Sequence, residues 1–301
     1  MTEHTLRPTV YQRLKLSTQH VRTSMHIVRW AIVGLLLAFT LIPLIFMLMT
    51  SLKSPIEIRV SGNLFPTEGI FWVNWERAFR NVPLPSYLLN SLIVGIVSTI
   101  MTLLIALPAS YAFVRFRTGG AFVRFRTGGR FLPSWILGTY IAPPIVISIP
   151  VFMLMRTVGL IDRPFGLALA HMVANLPVAT WMLMDFIRTV PAEIEEAAQI
   201  DGASPWGVLV RIVAPLILPG LVATAIICLI LSWNEFLFAL VLTYSIRSQT
   251  FPIGISEFQG EHGLQFGEIS AAALTGILPV YILAMFFQRY LIHGLTRGGI
   301  K

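Results

Sequence analysis

A chain of 301 residues with 55% hydrophobic residues, only 12% charged residues and a formal net charge of +8 does not have the composition of a soluble domain, where about 25% of residues are charged. The mean hydropathy of +0.76 marks an integral membrane protein, and on such a chain the positive balance reads as loops facing anionic lipid rather than as nucleic-acid binding. The single cysteine, Cys228, lies in an apolar run; it excludes a disulfide framework within the chain, suggests no thiol–metal site and reads as a small buried hydrophobe.

Residues 1–29 are basic, with Arg7, Arg13, Lys15, Arg22 and Arg29, and the chain then turns apolar from Trp30 to Leu52. That run is too long for the core of a cleaved signal peptide. At 1.5 Å per residue it extends about 34 Å, enough to cross the hydrocarbon core with some tilt, so it reads as a retained first span behind a cytoplasmic N-terminal segment. Five further spans complete a transmembrane domain over 30–301, with a core over 87–292. They lie within Tyr87–Val114 and Phe131–Met155, near Phe165–Phe186, and over Ile212–Leu242 and Ile269–Leu291. Backbone groups in lipid need partners within their own segment, and these runs are too long and continuous for the strands of a barrel, so the fold class is all-α with six transmembrane helices. Prolines within the spans (Pro43, Pro108, Pro143, Pro144, Pro150, Pro177, Pro215, Pro219 and Pro279) suit a pathway that opens and closes, and occur in static bundles as well.

Sidedness follows from Lys and Arg. One side collects the N-terminal cations, then Arg115, Arg117, Arg124, Arg126 and Arg130, then Arg188 and Arg211, then Arg289, Arg297 and Lys301. The other has Lys53, Arg59, Arg77, Arg80, Arg156, Arg163 and Arg247. The excess places both termini in the cytoplasm, together with the loop between the fourth and fifth spans. The first outer loop, Lys53 to Ser86, carries Pro and aromatic residues and is expected to lie along the outer surface. The loop after the second span holds AFVRFRTGG twice, at 112–120 and 121–129. Two copies cannot build a solenoid. The repeat reads either as a tolerated tandem duplication or as a basic, aromatic arm on lipid headgroups.

The segment EIEEAAQIDGASP, Glu193 to Pro205, is acidic and lies between two spans. Pro191 suits a first helical position, and Glu193, Glu195 and Glu196 suit the positive N-terminal end of a helix dipole. Gly202 can close that helix in a left-handed conformation, and Ser204-Pro205 is a cap and first residue for a second helix leading into the fifth span. The product is a helix–Gly–helix elbow with a small face at Ala197 and Ala198. It reads either as a plug for a socket on another protein or as a helix resting on the membrane surface, although surface helices are usually basic.

The same stretch resembles the EAA motif of permease subunits in binding-protein-dependent ABC importers. Glu196-Ala197-Ala198 is followed after three residues by Gly202, after nine more by Ile212, and then by Ala214-Pro215; the departure is Ala214, where Leu is usual. Ser51-Leu52-Lys53, Asn90-Ser91, Ser232-Trp233-Asn234-Glu235-Phe236 and the tail Gly294–Lys301 are similar to the carbohydrate subfamily, in particular its smaller maltose-type permease. The duplication is a departure from that family. The resemblance implies that the segment over 191–215 is a coupling helix docked in a cleft of an ATP-binding subunit, with Glu195, Glu196, Ala197, Ala198, Asp201, Gly202 and Ala203 at the contact and Glu196 paired with a cation there. It further implies a second permease in a heterodimer, two ATP-binding subunits that hold ATP and Mg, and a periplasmic or lipid-anchored substrate-binding protein. On that resemblance, this chain itself is expected to bind no cofactor and not to be an enzyme.

No G-x-x-x-x-G-K-[ST] phosphate loop occurs, so the chain cannot hydrolyse ATP by that route. His171 has no metal-spaced neighbour and reads as a hydrogen-bonded interior histidine. Polar and aromatic groups within spans are the pathway candidates: Asn175 and Trp181 on the fourth, Trp233, Asn234 and Glu235 on the fifth. Sugars need hydrogen bonds to hydroxyls and flat apolar faces against ring carbons, which Asn and Trp supply; Glu235 comes late enough in its span to sit at the outer interface instead. The Gly-rich outer loop Tyr244–Glu268 is either an ordinary cap or, as the resemblance implies, a loop reaching toward the docked binding protein through Gly254, Glu257, Phe258, Gln259 and Gly260. An ion-coupled secondary transporter is the alternative function. It calls for intramembrane carboxylates and an internal repeat of spans, and the chain offers little beyond Glu235. A scaffold or membrane enzyme leaves the EAA spacing unexplained. The sequence does not distinguish among sugars, polyols and their derivatives.

Overall fold

The computed structural model describes residues 10–115, 138, 143–260 and 263–297, with backbone alone at 10–24, 259–260, 263 and 289–297. Most of the AFVRFRTGG repeat, the cations Arg7, Arg117, Arg124, Arg126, Arg130 and Lys301, and the start of the expected third span lie outside the described residues.

The first helix, α1 (Val10–Ser51), runs through the basic segment and the first apolar stretch without interruption. It is apolar on all sides from Trp30 onward, so lipid rather than a protein core is its solvent; it packs along the last helix and otherwise exposes Leu35, Phe39 and Ile42. After it, α2 (Pro55–Val60) starts at a Ser54 cap whose Oγ accepts from Glu57 N at 3.1 Å, and α3 (Val73–Asn81) follows; both pack on the last helix. The buried Asn74 amide donates to the carbonyls of Ser51 (3.0 Å) and Lys53 (2.8 Å), and Trp75 Nε1 donates to Ser51 Oγ at 3.2 Å. The Lys53 ammonium is buried and donates to Asn63 O. This loop is therefore a folded layer at one end of the bundle, as its aromatic composition suggests.

The centre is built from α4 (Leu84–Arg115), α6 (Pro164–Arg188) and α9 (Leu218–Trp233). Along α4 the buried positions Ser91, Gly95, Ser98, Thr102, Ala106 and Ser110 recur at helical spacing. Small residues let backbones approach in lipid, where close packing and interhelical hydrogen bonds replace the hydrophobic effect as the source of association. The hydroxyls bind across the seams: Ser98 Oγ meets Ser232 Oγ at 2.8 Å and Ser110 Oγ donates to Thr180 O at 3.0 Å. Cys228 is buried and free beside Ala106, Ala179 and Leu183.

One expectation changes. The fifth span is not one helix over Ile212–Leu242. It begins as α8 (Pro205–Leu216), contains a π-helical turn at Leu209–Val213, and bends by 81° into α9. Pro215 and Pro219 flank the break at Ile217; each lacks an N–H and clashes with the preceding turn, and a π-turn adds a second cause of bending. A second break at Asn234–Phe236 precedes α10 (Leu237–Leu242). Among the described residues, four helices are long and apolar enough to cross, five if the bent pair is one span. The described part of the third span, α5 (Pro144–Thr157), is 14 residues, about 21 Å.

The remaining elements are α7 (Ala192–Ile200), α11 (Phe251–Ser256), a two-residue antiparallel ladder of β1 (Gln259–Gly260) with β2 (Gly263–Leu264), and α12 (Phe266–Arg297). That ladder is the β structure among the described residues of an otherwise helical chain.

Candidate functional site

The Glu193–Pro205 segment forms the elbow its residues call for. Helix α7 starts one residue later than expected, with Pro191 extended as its N-cap. It closes with Gly202 at φ 89, Gly202 N–H donating to Gln199 O at 3.0 Å and Ala203 N–H to Ala198 O at 2.9 Å. Those two bonds satisfy the last carbonyls, and the left-handed residue between them is the one place here where only glycine is unstrained. Ser204 Oγ then accepts from Gly207 N at 3.2 Å and opens α8.

The inner side of the elbow is fixed to the bundle. Val208, Leu209 and Val213 pack on Tyr111, Ile187 and Val190. Glu195 turns inward with its side chain 4% exposed, and meets Arg115 at 2.6 Å and the Tyr111 hydroxyl at 2.9 Å. Its neighbours face away: Glu193, Glu196, Ala197 and Ile200 are all exposed, and their i, i+3, i+4, i+7 spacing puts them on one stripe of α7. Asp201 and Gly202 extend that exposed stripe, while Ala198 and Ala203 are half-buried behind it. Ile194, Ile200 at 87% exposure and Trp206 at 64% add large apolar groups that the sequence reading did not single out. The signal was present: apolar residues at positions 194 and 200 of a nine-residue helix point elsewhere than the side that packs.

The pathway candidates separate into two groups. Asn175 is buried and donates to Cys228 O (3.2 Å) and Ser232 Oγ (3.0 Å), tying α6 to α9. Glu235 accepts from the backbone N–H of Phe238 (3.0 Å) and Ala239 (3.3 Å), capping α10, and lies 3.1 Å from His171 Nε2. His171 is thus the hydrogen-bonded interior histidine its isolation suggested. Trp181 is 40% exposed on α6. Trp233 and Asn234, by contrast, line a cavity of about 560 Å³ with Phe236, Phe251, Ile255 and Tyr281, and the Trp233 and Phe251 rings stack with centroids 6.2 Å apart.

In the Tyr244–Glu268 loop, Gly254 and Phe258 lie in the interior, Gly254 against the Tyr87 ring and Phe258 in the cluster of Ala78, Leu84 and Ala271. Glu257 is exposed and accepts from Tyr87 Oη at 2.8 Å. Gln259 and Gly260 form β1. The loop is pinned to the turn after α5 by Asp162, whose Oδ1 accepts from the N–H groups of Tyr244 and Ser245, both at 2.9 Å, and from Ser248 Oγ. No group of three or more His, Cys, Asp or Glu side chains suited to a metal exists among the described residues.

The described residues thus form a membrane-type helical bundle with a helix–Gly–helix elbow at one end. Residues 116–297 match the model of the binding-protein-dependent transport system inner membrane component. The chain is 35% identical to the sulfoquinovosyl glycerol transport system permease protein SmoH of Agrobacterium fabrum, over 91% of this chain and 93% of that one. It is 32% identical to the trehalose transport system permease protein SugB of Mycobacterium tuberculosis, over 90% and 97%. Its fold is similar to a crystal structure of a bacterial ABC transporter involved in import of the acidic polysaccharide alginate, with a TM-score of 0.71, 21% identity, and 95% and 99% of the two chains covered. The chain belongs to the binding-protein-dependent transport system inner membrane component family. It is a permease component of an ABC importer, and ATP hydrolysis resides on separate subunits.

Proposed function

We propose that this chain is one of two permease subunits, paired with a different chain, in an importer that passes a carbohydrate from a binding protein into the cytoplasm by alternating access. The relatives named for sulfoquinovosyl glycerol and trehalose transport support a carbohydrate cargo. Six spans, read from the apolar runs, put both termini on one side, and the excess of Lys and Arg makes that side the cytoplasm. The observation that carries the reading is the elbow: an exposed stripe of Glu193, Glu196, Ala197 and Ile200, with Trp206 beside it, on a helix whose other side is locked to the bundle. That stripe docks on one of two ATP-binding subunits, which hold ATP and Mg; Glu196 meets a cation, and the alanines admit the partner's backbone. Trp233 and Asn234 are the pathway residues this reading favours, because they line open space; the Asn234 amide nitrogen donates to Ile230 O at 2.8 Å, while Asn175 and Glu235 bond across to other elements or cap a helix within the chain. A flat indole against ring carbons and an amide for hydroxyls fit a sugar. Glu257 is the candidate contact to a periplasmic or lipid-anchored binding protein.

The test is Glu196→Lys in the assembled importer. Loss of the ATP-binding subunit on purification, with the two permeases still paired, is the expected result. A complex that keeps its ATPase and its uptake rate would refute the docking.

A further inference from the structure

We propose that Arg115 is the positioning residue of this coupling, joining α4, α6 and the elbow into one moving body through Glu195. The inference rests on the docking of α7 proposed above. Arg115 is the last residue of α4. Its Nε donates to Glu195 Oε1 at 2.7 Å, and its Nη2 lies 2.6 Å from the same oxygen. That Nη2 also donates to two carbonyls at the C-terminal end of α6, Ile187 O at 3.1 Å and Val190 O at 2.6 Å. Tyr111, one turn back on α4, donates its hydroxyl to the other carboxylate oxygen at 2.9 Å. One guanidinium therefore holds three elements, and both oxygens of Glu195 are engaged.

The apolar contacts around the clasp are non-directional and leave the elbow free to slide. The clasp is directional. A planar fork with several fixed donors meets a carboxylate and two carbonyls at once, which a lysine ammonium on a flexible stem does not reproduce. The cation also sits where the negative end of the α6 dipole favours it. With Glu195 4% exposed and Arg115 19%, solvent does little to screen the pair. A push on the exposed stripe of α7 thus reaches α4 and α6 as rotation of a single unit instead of dissipating in the loop.

The experiment uses the reconstituted importer with Phe165→Cys as a reporter. Phe165 is 52% exposed at the end of α6 away from the elbow, and the native Cys228 is buried. The readouts are retention of the ATPase, ATP hydrolysis, and the change in labelling of the introduced thiol by a membrane-impermeant maleimide on adding ATP and vanadate. Arg115→Lys and the near-isosteric Glu195→Gln should each keep the ATPase and its hydrolysis while the ATP-induced change in labelling shrinks about tenfold, the scale of a lost coupling contact. An unchanged labelling response in Arg115→Lys would overturn the proposal. So would a fall of all three readouts in step with the amount of assembled complex, which would make the clasp a folding element. Glu196→Lys separates the two readings. If it keeps its ATPase, the docking fails and the clasp with it; if it loses its ATPase while Arg115→Lys responds normally, the clasp alone fails.

Discussion

Asp162 offers a quantitative test of how the loop regions are held. It is the one non-glycine residue among those described with a positive φ, 57°, and its carboxylate gathers three donors from 82 to 86 positions away. In Asp162→Ala all three bonds go. Partial exposure brings these bonds down to the ordinary range for a hydrogen bond, so each is worth about 1 kcal/mol. Alanine in the left-handed region adds about 1 kcal/mol, for a total of about 4 kcal/mol. Asp162→Asn keeps an acceptor and tolerates the backbone, and should cost about 1 kcal/mol. The assay is thermal unfolding of the purified importer in detergent, where Ala should lower the midpoint by roughly 10 °C and Asn by a quarter of that. The pH dependence has a definite sign. Burial pushes this carboxyl up, but the Ser248 hydroxyl and the Tyr244 and Ser245 N–H groups outweigh it, leaving its pKa below the usual carboxylate range. A group depressed in the folded state stabilises above its unfolded value, about 3.9, and loses that contribution as pH falls through the folded value. The gap between parent and Asn variant should therefore close on acidification below about pH 4. Equal midpoints for Ala and Asn, or an Ala variant indistinguishable from the parent, would refute the assignment.

Asn175→Leu should lower the thermal midpoint by a few degrees, since it removes two interhelical bonds worth about 0.6 kcal/mol each in a membrane bundle; abolished uptake at full abundance would return Asn175 to the pathway. Gly254→Ala places a Cβ 2.4 Å from Tyr87 Cδ2. The Tyr87 ring is held by hydroxyl bonds to Gln249 (2.9 Å) and Glu257 (2.8 Å), so this variant should lose about 1–3 kcal/mol to overpacking, read as a lower unfolding temperature. Deletion of residues 121–129, one copy of AFVRFRTGG, should leave uptake intact; loss of uptake at normal membrane abundance would give the repeat a function.

The parts legible in the sequence are those encoded locally. Continuous apolar runs located α1, α4, α6 and α12 because lipid demands that pattern over a full crossing. Gly202 and Ser204 placed the elbow because a left-handed residue and a side-chain cap are single-residue requirements. What stayed hidden depends on distant partners or on a choice among equivalent signals. Nine prolines were visible in the spans, and nothing in a single proline says that Pro215 and Pro219 produce an 81° bend while Pro177 stays inside an unbroken α6. Glu195 and Glu196 are chemically identical neighbours. That the first faces inward is decided by Arg115, 80 positions earlier. Glu235 read as a pathway or interface acid because the break after Trp233 was not foreseen; once the chain breaks there, a carboxylate three and four residues before the N–H groups it accepts is a local cap. Gly254 and Phe258 belong by sequence to a loop that is either an outer cap or a contact to a binding protein, yet just after α11 Phe258 fills the core beside Leu84.

On the proposed reading, this chain works as the membrane half of a machine whose motor binds the elbow. The most direct measurement is mild-detergent capture of the tagged chain from its native membrane, with mass spectrometry of what accompanies it. A second multi-span permease and a P-loop ATPase are expected, the ATPase absent when the bait carries Glu196→Lys. A chain recovered alone or only with copies of itself, without an ATPase across several detergents, would contradict it.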